Sequence, residues 1–240
     1  MAKIYYKDDN VVLILGDCTE ALPKLKIKFD CIVTDPPYKV TPKGCAGTMG
    51  GYWKGASANR GNIFTHNDTK CGNYLPLLNE ALKDGTHCYI MINHINLIEM
   101  LNTAVSSGFS FIKSLIWDKG NKICSRFYMN CFEYILMFRH GSSRDINNFS
   151  TPDILRVPIK KLKGTDGKNL HDTEKPVDLM KILIENSTRE RQTVLDPFCG
   201  IGATLIAALE SNRKAVGIEM DEKYCEIAKQ RVLQWYEGHN

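Results

Sequence analysis

Short apolar runs alternate with amphipathic stretches along most of this chain. Five runs have the length and β-branched content of buried strands: Val11–Leu15, Phe29–Thr34, Thr86–Ile92, Thr193–Leu195 and Ala215–Glu219. Helical periodicity or capping signals predict helices between them: Thr19 to about Lys26, Tyr74–Lys83, Asn93 to about Ser107, Pro176–Asn186, Ile201–Ser211 and Asp221 to about Tyr236. This order predicts an α/β fold in which helices cover both faces of a mostly parallel, twisted sheet.

Two further apolar runs interrupt the alternation. Phe111–Trp117 and Phe132–Phe138 flank the polar, basic segment Asp118–Asn130 without an intervening helix. Strands so close in sequence pair most readily with each other in the antiparallel sense. The pattern therefore predicts an antiparallel pair at one edge of the sheet.

Two long stretches show no convincing periodicity. Thr41–Asn73 is rich in Gly, Asn, Lys and Thr, and Gly141–Leu170 shows little order. Loops of this length in a compact domain usually form functional lids or binding segments. No linker divides the chain, so we expect one domain, 1–240, with a loop insertion at 39–73 and a basic segment at 141–170.

Positive charge is concentrated in the same loop-rich parts of the chain. The formal net charge is only +4, but Lys39–Lys70 and Lys113–Lys168 are strongly basic, and the rest of the chain is net acidic. Basic, loop-rich segments are typical of a face that binds a polyanion. Solvated surface lysines are the alternative interpretation.

The composition argues against several protein classes. No apolar run approaches the roughly 18 residues of a membrane span, and the first residues lack the apolar core of a secretory signal. Nine cysteines without a C-x-x-C pair indicate free thiols rather than a zinc site or a disulfide scaffold. We therefore expect a cytoplasmic protein without a bound metal.

The first chemical motif directly follows a predicted strand. Asp35-Pro36-Pro37-Tyr38 comes after Phe29–Thr34, at the strand end where open α/β sheets bind ligands. The two prolines hold the backbone in one extended shape. A fixed carboxylate and carbonyl beside an aromatic ring suit a flat nucleobase with an exocyclic amino group. A strand that ends in a proline turn with a chance tyrosine is the alternative.

The second motif is Asp196-Pro197-Phe198-Cys199-Gly200-Ile201-Gly202-Ala203-Thr204, between a predicted strand and a predicted helix. Glycines one residue apart let the backbone turn tightly and approach a ligand, and the helix amino end supplies free N–H donors. Glu219 ends the next strand, where an acid usually binds ribose hydroxyls. The spacing differs from G-x-G-x-x-G, which disfavours a nicotinamide or flavin enzyme.

Two more sequences complete a series in fixed order. Gly16-Asp17-Cys18 precedes the first motif, and His171-Asp172-Thr173-Glu174-Lys175-Pro176 precedes the second. In this order they resemble the beta class of amino-group DNA methyltransferases, whose catalytic half precedes the half that binds S-adenosylmethionine. Trp117-Asp118-Lys119 and Phe132-Glu133-Tyr134-Ile135-Leu136 are also similar to that class. The resemblance covers nearly the whole chain and implies a Rossmann-like methyltransferase fold in permuted order.

The chain departs from the family pattern at two places. The family commonly has Ser-Gly-Thr-Thr where this chain has Ile201-Gly202-Ala203-Thr204, and Pro-Thr-Gln where it has Asp172-Thr173-Glu174. Both glycines and the Asp-Pro-Pro-Tyr motif are kept. Cofactor affinity is the property on which these changes bear most directly.

The resemblance assigns roles to individual residues. Asp35, Pro36, Pro37 and Tyr38 are the catalytic set: Asp35 and the Pro36 carbonyl accept the hydrogens of the target amine, and Tyr38 stacks on a base flipped out of the duplex. The residues implied for S-adenosylmethionine binding are Asp17, Cys18, Asp35, Lys175, Asp196, Phe198, Gly200, Gly202, Thr204 and Glu219. Among them, Glu219 is expected at the ribose, Asp17 and Cys18 near the adenine, and Lys175 and Asp196 near the methionine end. Core packing remains the alternative for Phe198 and Cys18.

An aspartate at the head of the tetrapeptide resembles the adenine-N6 members more than the cytosine-N4 members. The expected activity is site-specific methylation of adenine N6, and no cysteine nucleophile is expected because the chain has no Pro-Cys dipeptide. Cytosine-N4 methylation and a non-catalytic nucleic-acid-binding relative are the alternatives. RNA-base and protein-glutamine methylation are more distant, since glutamine enzymes usually carry Asn in place of Asp35.

The expected partner is double-stranded DNA, in a bacterial or phage-infected cell. The segments expected to contact it are Lys39–Lys70, Asp118–Arg126 and Gly141–Lys168. The last is short for a target-recognition region, which favours a short target sequence or loose specificity. The resemblance leaves a homodimer and a paired restriction nuclease open.

Overall fold

The computed structural model describes residues 1–37, 69–123, 128–159 and 174–239. The strands are β1 Lys3–Lys7, β2 Val11–Leu15, β3 Phe29–Thr34, β4 Leu82–Ile92, β5 Ser110–Ile123, β6 Asn130–His140, β7 Ile154–Arg156, β8 Thr193–Asp196 and β9 Lys214–Glu219. The helices are α1 Cys18–Ala21, α2 Cys71–Ala81, α3 Leu97–Ser106, α4 Val177–Ser187, α5 Ala203–Glu210 and α6 Glu222–His239, with a 3₁₀ turn at Leu22–Lys24.

These strands form one open sheet in the order β1-β2-β9-β8-β3-β4-β6-β5-β7. The five strands β2, β9, β8, β3 and β4 run parallel, β6 lies antiparallel between β4 and β5, and β1 pairs antiparallel with β2. The predicted α/β class with a mostly parallel sheet is confirmed. The first half of the chain supplies β3 and the second half supplies its neighbour β8, so the two halves meet at the centre of the sheet.

The central strands are apolar on both faces, and each face has its own core. Along β4, Tyr89 and Met91 join the core that packs under α4, α5 and α6. Their neighbours Cys88, Ile90 and Ile92 join the core under α1, α2 and α3. Side chains alternate along a strand, so continuous apolar runs are what a sheet covered on both faces requires.

The edges of the sheet differ from the prediction. β5 and β6 pair antiparallel as predicted, but β7 pairs with the outer side of β5, so the pair does not form the edge. β7 lies in the stretch 141–170 that was predicted to have little order, and β5 continues to Ile123, within the segment predicted to be a polar connection. β1 was also not predicted. Its exposed edge position allows a mixed sequence, Lys3–Lys7, that carries no clear strand pattern.

Three helix starts also differ from those predicted. Asp17, rather than Thr19, caps α1: its Oδ1 accepts the Thr19 N–H at 2.7 Å. Asn93 does not cap α3; its Oδ1 accepts the N–H of Asn96, the residue that precedes the helix. α2 begins at Cys71, earlier than predicted, and contains Pro76. Pattern analysis misplaces such ends because several Asx and Thr residues near each start can serve as caps.

Candidate active site

Four acidic residues stand in a row along the carboxyl edge of the sheet. Asp17 follows β2, Glu219 ends β9, Asp196 ends β8 and Asp35 follows β3. These four strands are consecutive neighbours and run parallel, so their carboxyl ends lie at the same edge. The sheet therefore brings three motifs that are far apart in sequence to the edge at which such folds bind ligands.

Asp35 is held in place by Lys175, which lies 140 positions away in the chain. Lys175 Nζ donates a hydrogen bond to Asp35 Oδ2 within an ion pair, and the lysine side chain is only 6% exposed. The other oxygen, Oδ1, is buried and has no hydrogen-bond partner within the described residues. A buried acceptor without a donor is costly. Oδ1 is thus available to a donor that arrives with a ligand.

The surroundings of Asp35 shift its titration. Burial raises the pKa of Asp35, Lys175 opposes the rise, and the nearby carboxylate of Glu133 adds to it. Burial would lower the pKa of Lys175, but Asp35 and Glu133 more than offset this and raise it. Lys175 therefore stays protonated, and Asp35 titrates at a higher pH than an ordinary aspartate.

Glu133 and Lys119 extend the Asp35–Lys175 pair into a chain of alternating charges. Lys119 Nζ donates to Glu133 Oε1, and Glu133 Oε2 lies 3.6 Å from Lys175 Nζ. Burial would raise the pKa of Glu133, but the two lysines outweigh it and leave the pKa below its usual value. Two lysines and two carboxylates give no net charge. This balance lets four ionised groups share a largely buried site.

The sequence motifs give Glu133 no role, and Lys119 lies in a segment expected to contact DNA. The structure instead puts both side chains beside Asp35, with Lys119 Nζ also 5.1 Å from the centroid of the Trp117 ring. The available signal was the composition of the strand itself. Glu133 is an acid within an otherwise apolar run, and such a residue needs a charged partner if the strand is buried.

Asp196 is buried at the end of β8 and ties three elements together. Its Oδ1 accepts the Thr34 hydroxyl at 2.8 Å and the Phe198 N–H at 3.1 Å, and its Oδ2 accepts the Thr204 hydroxyl at 2.5 Å. Burial raises the pKa of Asp196 to about 6 despite these donors. The hydrogen bond between Asp196 and Thr204 therefore fixes residues 197–202, which connect β8 to α5 and contain Gly200 and Gly202. We call this connection the glycine turn.

We expect Asp196→Asn to be more stable than the wild type, by an amount that grows as the pH rises. A carboxyl whose pKa is 3.8 when unfolded and about 6 when folded loses stability as the pH rises through this interval, because the folded state disfavours ionisation. The amide keeps an acceptor for Thr34 and Phe198 and carries no charge. The gain over wild type should grow between pH 4 and 6 and level off at no more than about 3 kcal/mol. Urea unfolding across this range measures it; a pH-independent difference would contradict the assignment.

The glycine turn is fastened to Glu219. The N–H of Gly200 donates to Glu219 Oε2, and the N–H of Asp221 donates to Oε1, each at 2.9 Å. Burial raises the pKa of Glu219 despite these two donors. Gly202 has φ +82°, and a Cβ there would lie 3.1 Å from the Ala228 side chain of α6, so the turn requires glycine.

Asp17 and Cys18 lie beside this turn, across β9. The N–H of Gly16 donates to the carbonyl of Glu219 at 2.8 Å, and this bond places the start of α1 next to the end of β9. Cys18 is buried, and burial raises the pKa of its thiol to about 12. A buried thiol with a raised pKa stays protonated near neutral pH and is a poor nucleophile.

Phe198 lies on the other side of the turn and remains partly exposed. Its ring packs edge-on against Tyr74 of α2, with 5.0 Å between ring centroids. Phe198 therefore packs against the core on the α2 side. Its remaining surface is available to a ligand at the carboxyl edge.

Several predicted residues lie outside the described ranges. These are Tyr38 and residues 39–68, 124–127 and 160–173, which include nearly all of Lys39–Lys70 and the last residues of Asp118–Arg126 and of Gly141–Lys168. Among the described basic residues of those segments, Arg156 is exposed and near Asp118, whereas Lys119 faces the site. The described ranges contain no group of three or more His, Cys, Asp or Glu residues that could hold a metal ion. None of the helices described is both long and apolar enough to cross a membrane.

Known proteins resemble this chain over nearly its full length. It is 26% identical to Type II methyltransferase M2.LlaDCHI of Lactococcus lactis subsp. cremoris, over 97% of this chain and 93% of the relative. The identity and both coverages are the same for Type II methyltransferase M2.DpnII of Streptococcus pneumoniae. Both alignments therefore span nearly the whole of this chain and of the relative.

Solved structures share the fold at lower identity. PvuII DNA methyltransferase, described as cytosine-N4-specific, matches with a TM-score of 0.75 at 16% identity, over 98% of this chain and 94% of that one. The M1.HpyAVI–SAM complex matches with a TM-score of 0.69 at 21% identity, over 92% and 99%. At these identities the matches establish the fold.

A family model described as DNA methylase, N6_N4_Mtase, matches residues 29–230. That range begins at β3, which leads into Asp35, and ends within α6, which packs on the glycine turn. The match thus includes the strand that leads to Asp35, the charged side chains around it and the glycine turn. The chain belongs to the N6/N4 family of DNA methylases.

Proposed function

We propose that this protein transfers a methyl group from S-adenosylmethionine to the exocyclic N6 of adenine in DNA. The observation that carries the proposal is the buried Oδ1 of Asp35, an acceptor without a partner in the described residues, beside the glycine turn. Its companion oxygen is occupied by Lys175. One oxygen is thereby fixed and the other is left to receive an amino hydrogen.

The residues at the carboxyl edge fit this cofactor. When bound, S-adenosylmethionine supplies a methyl group on a positively charged sulfur. Asp17 and Glu219 offer carboxylate oxygens for hydroxyl and amino groups, and the partly exposed Phe198 ring offers an apolar surface. Asp35 Oδ1 adds a buried acceptor at the same edge.

The geometry around Asp35 suits activation of an aromatic amine. Such an amine is a poor nucleophile because its lone pair is delocalised into the ring. Asp35 Oδ1 can accept one amino hydrogen and the Pro36 carbonyl another, which localises the lone pair on nitrogen. Because Lys175 fixes the carboxylate beforehand, this acceptor needs no reorganisation as positive charge develops. The same carboxylate can take the proton that the nitrogen loses after transfer.

The choice of adenine rests on Asp35 as the first residue of the tetrapeptide, which resembles the adenine-N6 members. Asp35 would activate the amine of cytosine by the same chemistry, so cytosine N4 is the second candidate. PvuII DNA methyltransferase, which shares this fold, is described as cytosine-N4-specific, so the fold is compatible with cytosine as the target base. In either case the base must leave the duplex to reach a buried acceptor.

The remaining parts of the proposal concern partners and location. Double-stranded DNA would contact the basic segments Lys39–Lys70, Asp118–Arg126 and Gly141–Lys168, with Tyr38 stacking on the flipped base. The described relatives come from bacteria, which supports the cytoplasm of a bacterial or phage-infected cell as the location. A homodimer and a paired restriction nuclease remain open.

The test is to incubate the protein with methyl-labelled S-adenosylmethionine and mixed-sequence DNA, and to identify the methylated nucleosides by mass. N6-methyladenine is the expected product, and Asp35→Asn supplies the matched blank. N4-methylcytosine would retain the mechanism and overturn the base. Cofactor binding without label in DNA, RNA or protein would indicate a non-catalytic relative.

A further inference from the structure

Both departures from the family motifs meet at one arginine of the last helix. Arg231 Nη1 donates to the carbonyl of Ile201 at 2.8 Å and lies 3.0 Å from Glu174 Oε1. Ile201 stands where the family commonly has Ser, and Glu174 where it commonly has Gln. A single guanidinium therefore joins the glycine turn to the segment that precedes α4.

The ion pair between Glu174 and Arg231 is buried rather than exposed at the surface. The two side chains are 3% and 12% exposed, respectively. Burial lowers the pKa of Arg231 and Glu174 opposes that shift. Removing either side chain takes the opposite charge away from a buried ion, which is far costlier than losing an exposed pair.

The position of Arg231 connects it to the cofactor side of the site. Ala228, one helical turn earlier on α6, packs where a Cβ of Gly202 would lie. Cys225, on the same face, donates its thiol to the carbonyl of Glu219 at 3.7 Å. This face of α6 therefore forms the back of the glycine turn, and Arg231 fixes the carbonyl between the two glycines.

Glu174 connects the same arginine to the catalytic side. It directly precedes Lys175, whose Nζ holds Asp35. The segment 174–176 is thus anchored on one side to α6 and the glycine turn, and on the other to the catalytic carboxylate. We propose that the Glu174–Arg231 pair positions the glycine turn and thereby sets the affinity for S-adenosylmethionine.

The proposal rests on the proposed cofactor, and direct cofactor titration by calorimetry tests it without DNA. Arg231→Gln removes the guanidinium that faces the negative charge of the buried Glu174 carboxylate, so the Kd for S-adenosylmethionine should rise about tenfold or more. Adding Glu174→Gln removes that charge and should recover much of the loss. At saturating cofactor, the kcat on DNA should change much less than the Kd, because Asp35 and Lys175 are untouched.

Lys181 and Glu210 provide the matched control. They join α4 to α5 at 3.6 Å and are about one third exposed, away from the glycine turn. Lys181→Met should leave the Kd unchanged. If Arg231→Gln does not fold, Arg231→Lys carries the test: its ammonium can reach Glu174 but lacks the planar guanidinium, so a Kd raised about threefold or more is expected.

An Arg231 variant that folds and binds S-adenosylmethionine with the wild-type Kd would overturn this role. That outcome leaves the proposed function intact, provided the wild type binds the cofactor and methylates DNA. If the wild type does not bind S-adenosylmethionine, the proposed function itself is wrong. A double variant no better than Arg231→Gln would also contradict the pairing.

Discussion

Replacing Asp35 by asparagine is expected to lower methyl transfer by at least about 10²–10³-fold, the effect of removing a preorganised electrostatic contact. Lys175 Nζ is a donor held against Oδ2, so the amide will turn its oxygen toward the lysine. Its NH₂ group then occupies the position of Oδ1 and presents a donor to the target amine, which also donates. Methyl-transfer kinetics at saturating cofactor and DNA measure the loss.

A second carboxylate on the same strand supplies the control for Asp35→Asn. Asp30 is also buried in β3 and ion-paired, to Lys83 at 2.8 Å, but it lies at the opposite end of the strand. Asp30→Asn should reduce stability and leave the turnover of folded protein unchanged. Asp35→Asn should bind S-adenosylmethionine with an affinity close to wild type. Retained turnover in Asp35→Asn would remove this carboxylate from the mechanism.

The pH dependence distinguishes a loss of chemistry from a loss of folded protein. Only the ionised form of Asp35 offers a full acceptor, so the wild-type rate should fall as the pH drops through its pKa. Burial raises that pKa, so the acid limb should lie above the usual aspartate value of about 3.9. The residual rate of Asp35→Asn should lack this limb.

The parts of the fold that depend on local patterns could be predicted from the sequence. Val11–Leu15 and Phe29–Thr34 are strands with the predicted bounds. A strand that is buried on both faces of a sheet is apolar along its whole length, and this pattern is visible in the sequence. The carboxyl edge followed from parallel strands alone. β1 and β7 were missed because strands at a sheet edge are short and need few apolar residues.

Only those site residues that lie within one short sequence motif could be predicted. Asp35 and the glycine turn could be predicted because the prolines and glycines beside them restrict the backbone conformation. The contacts of Lys175 with Asp35, and of Arg231 with Glu174, join residues distant in sequence. They depend on the sheet order β8-β3-β4-β6 and on where α6 packs, neither of which a local pattern specifies. Glu133 enters the site because β6 lies inside the sheet rather than at its edge.

Lys175→Met is expected to cause the second large loss of methyl-transfer rate, because it changes the ionisation of Asp35. Removing the ammonium leaves the carboxylates of Asp35 and Glu133 buried near each other, with Lys119 as the remaining described lysine in the charge chain. The pKa of Asp35 should rise further, so the acid limb of the rate profile moves to higher pH. At neutral pH the rate should fall by about 10² or more, since the Asp35 carboxylate also loses its fixed orientation. Breaking the buried pair should cost roughly 3–5 kcal/mol of stability.

Adding Glu133→Gln to Lys175→Met separates the charge effect from the loss of orientation. The amide removes the negative charge that raises the pKa of Asp35, so the acid limb should move back toward the wild-type position. The rate at high pH should stay low, because the hydrogen bond from Lys175 to Asp35 Oδ2 is still missing. Rate profiles for the two variants and the control Lys181→Met, normalised to folded protein, measure both effects. An acid limb that does not move in Lys175→Met would show that Lys175 supports the fold without controlling the ionisation of Asp35.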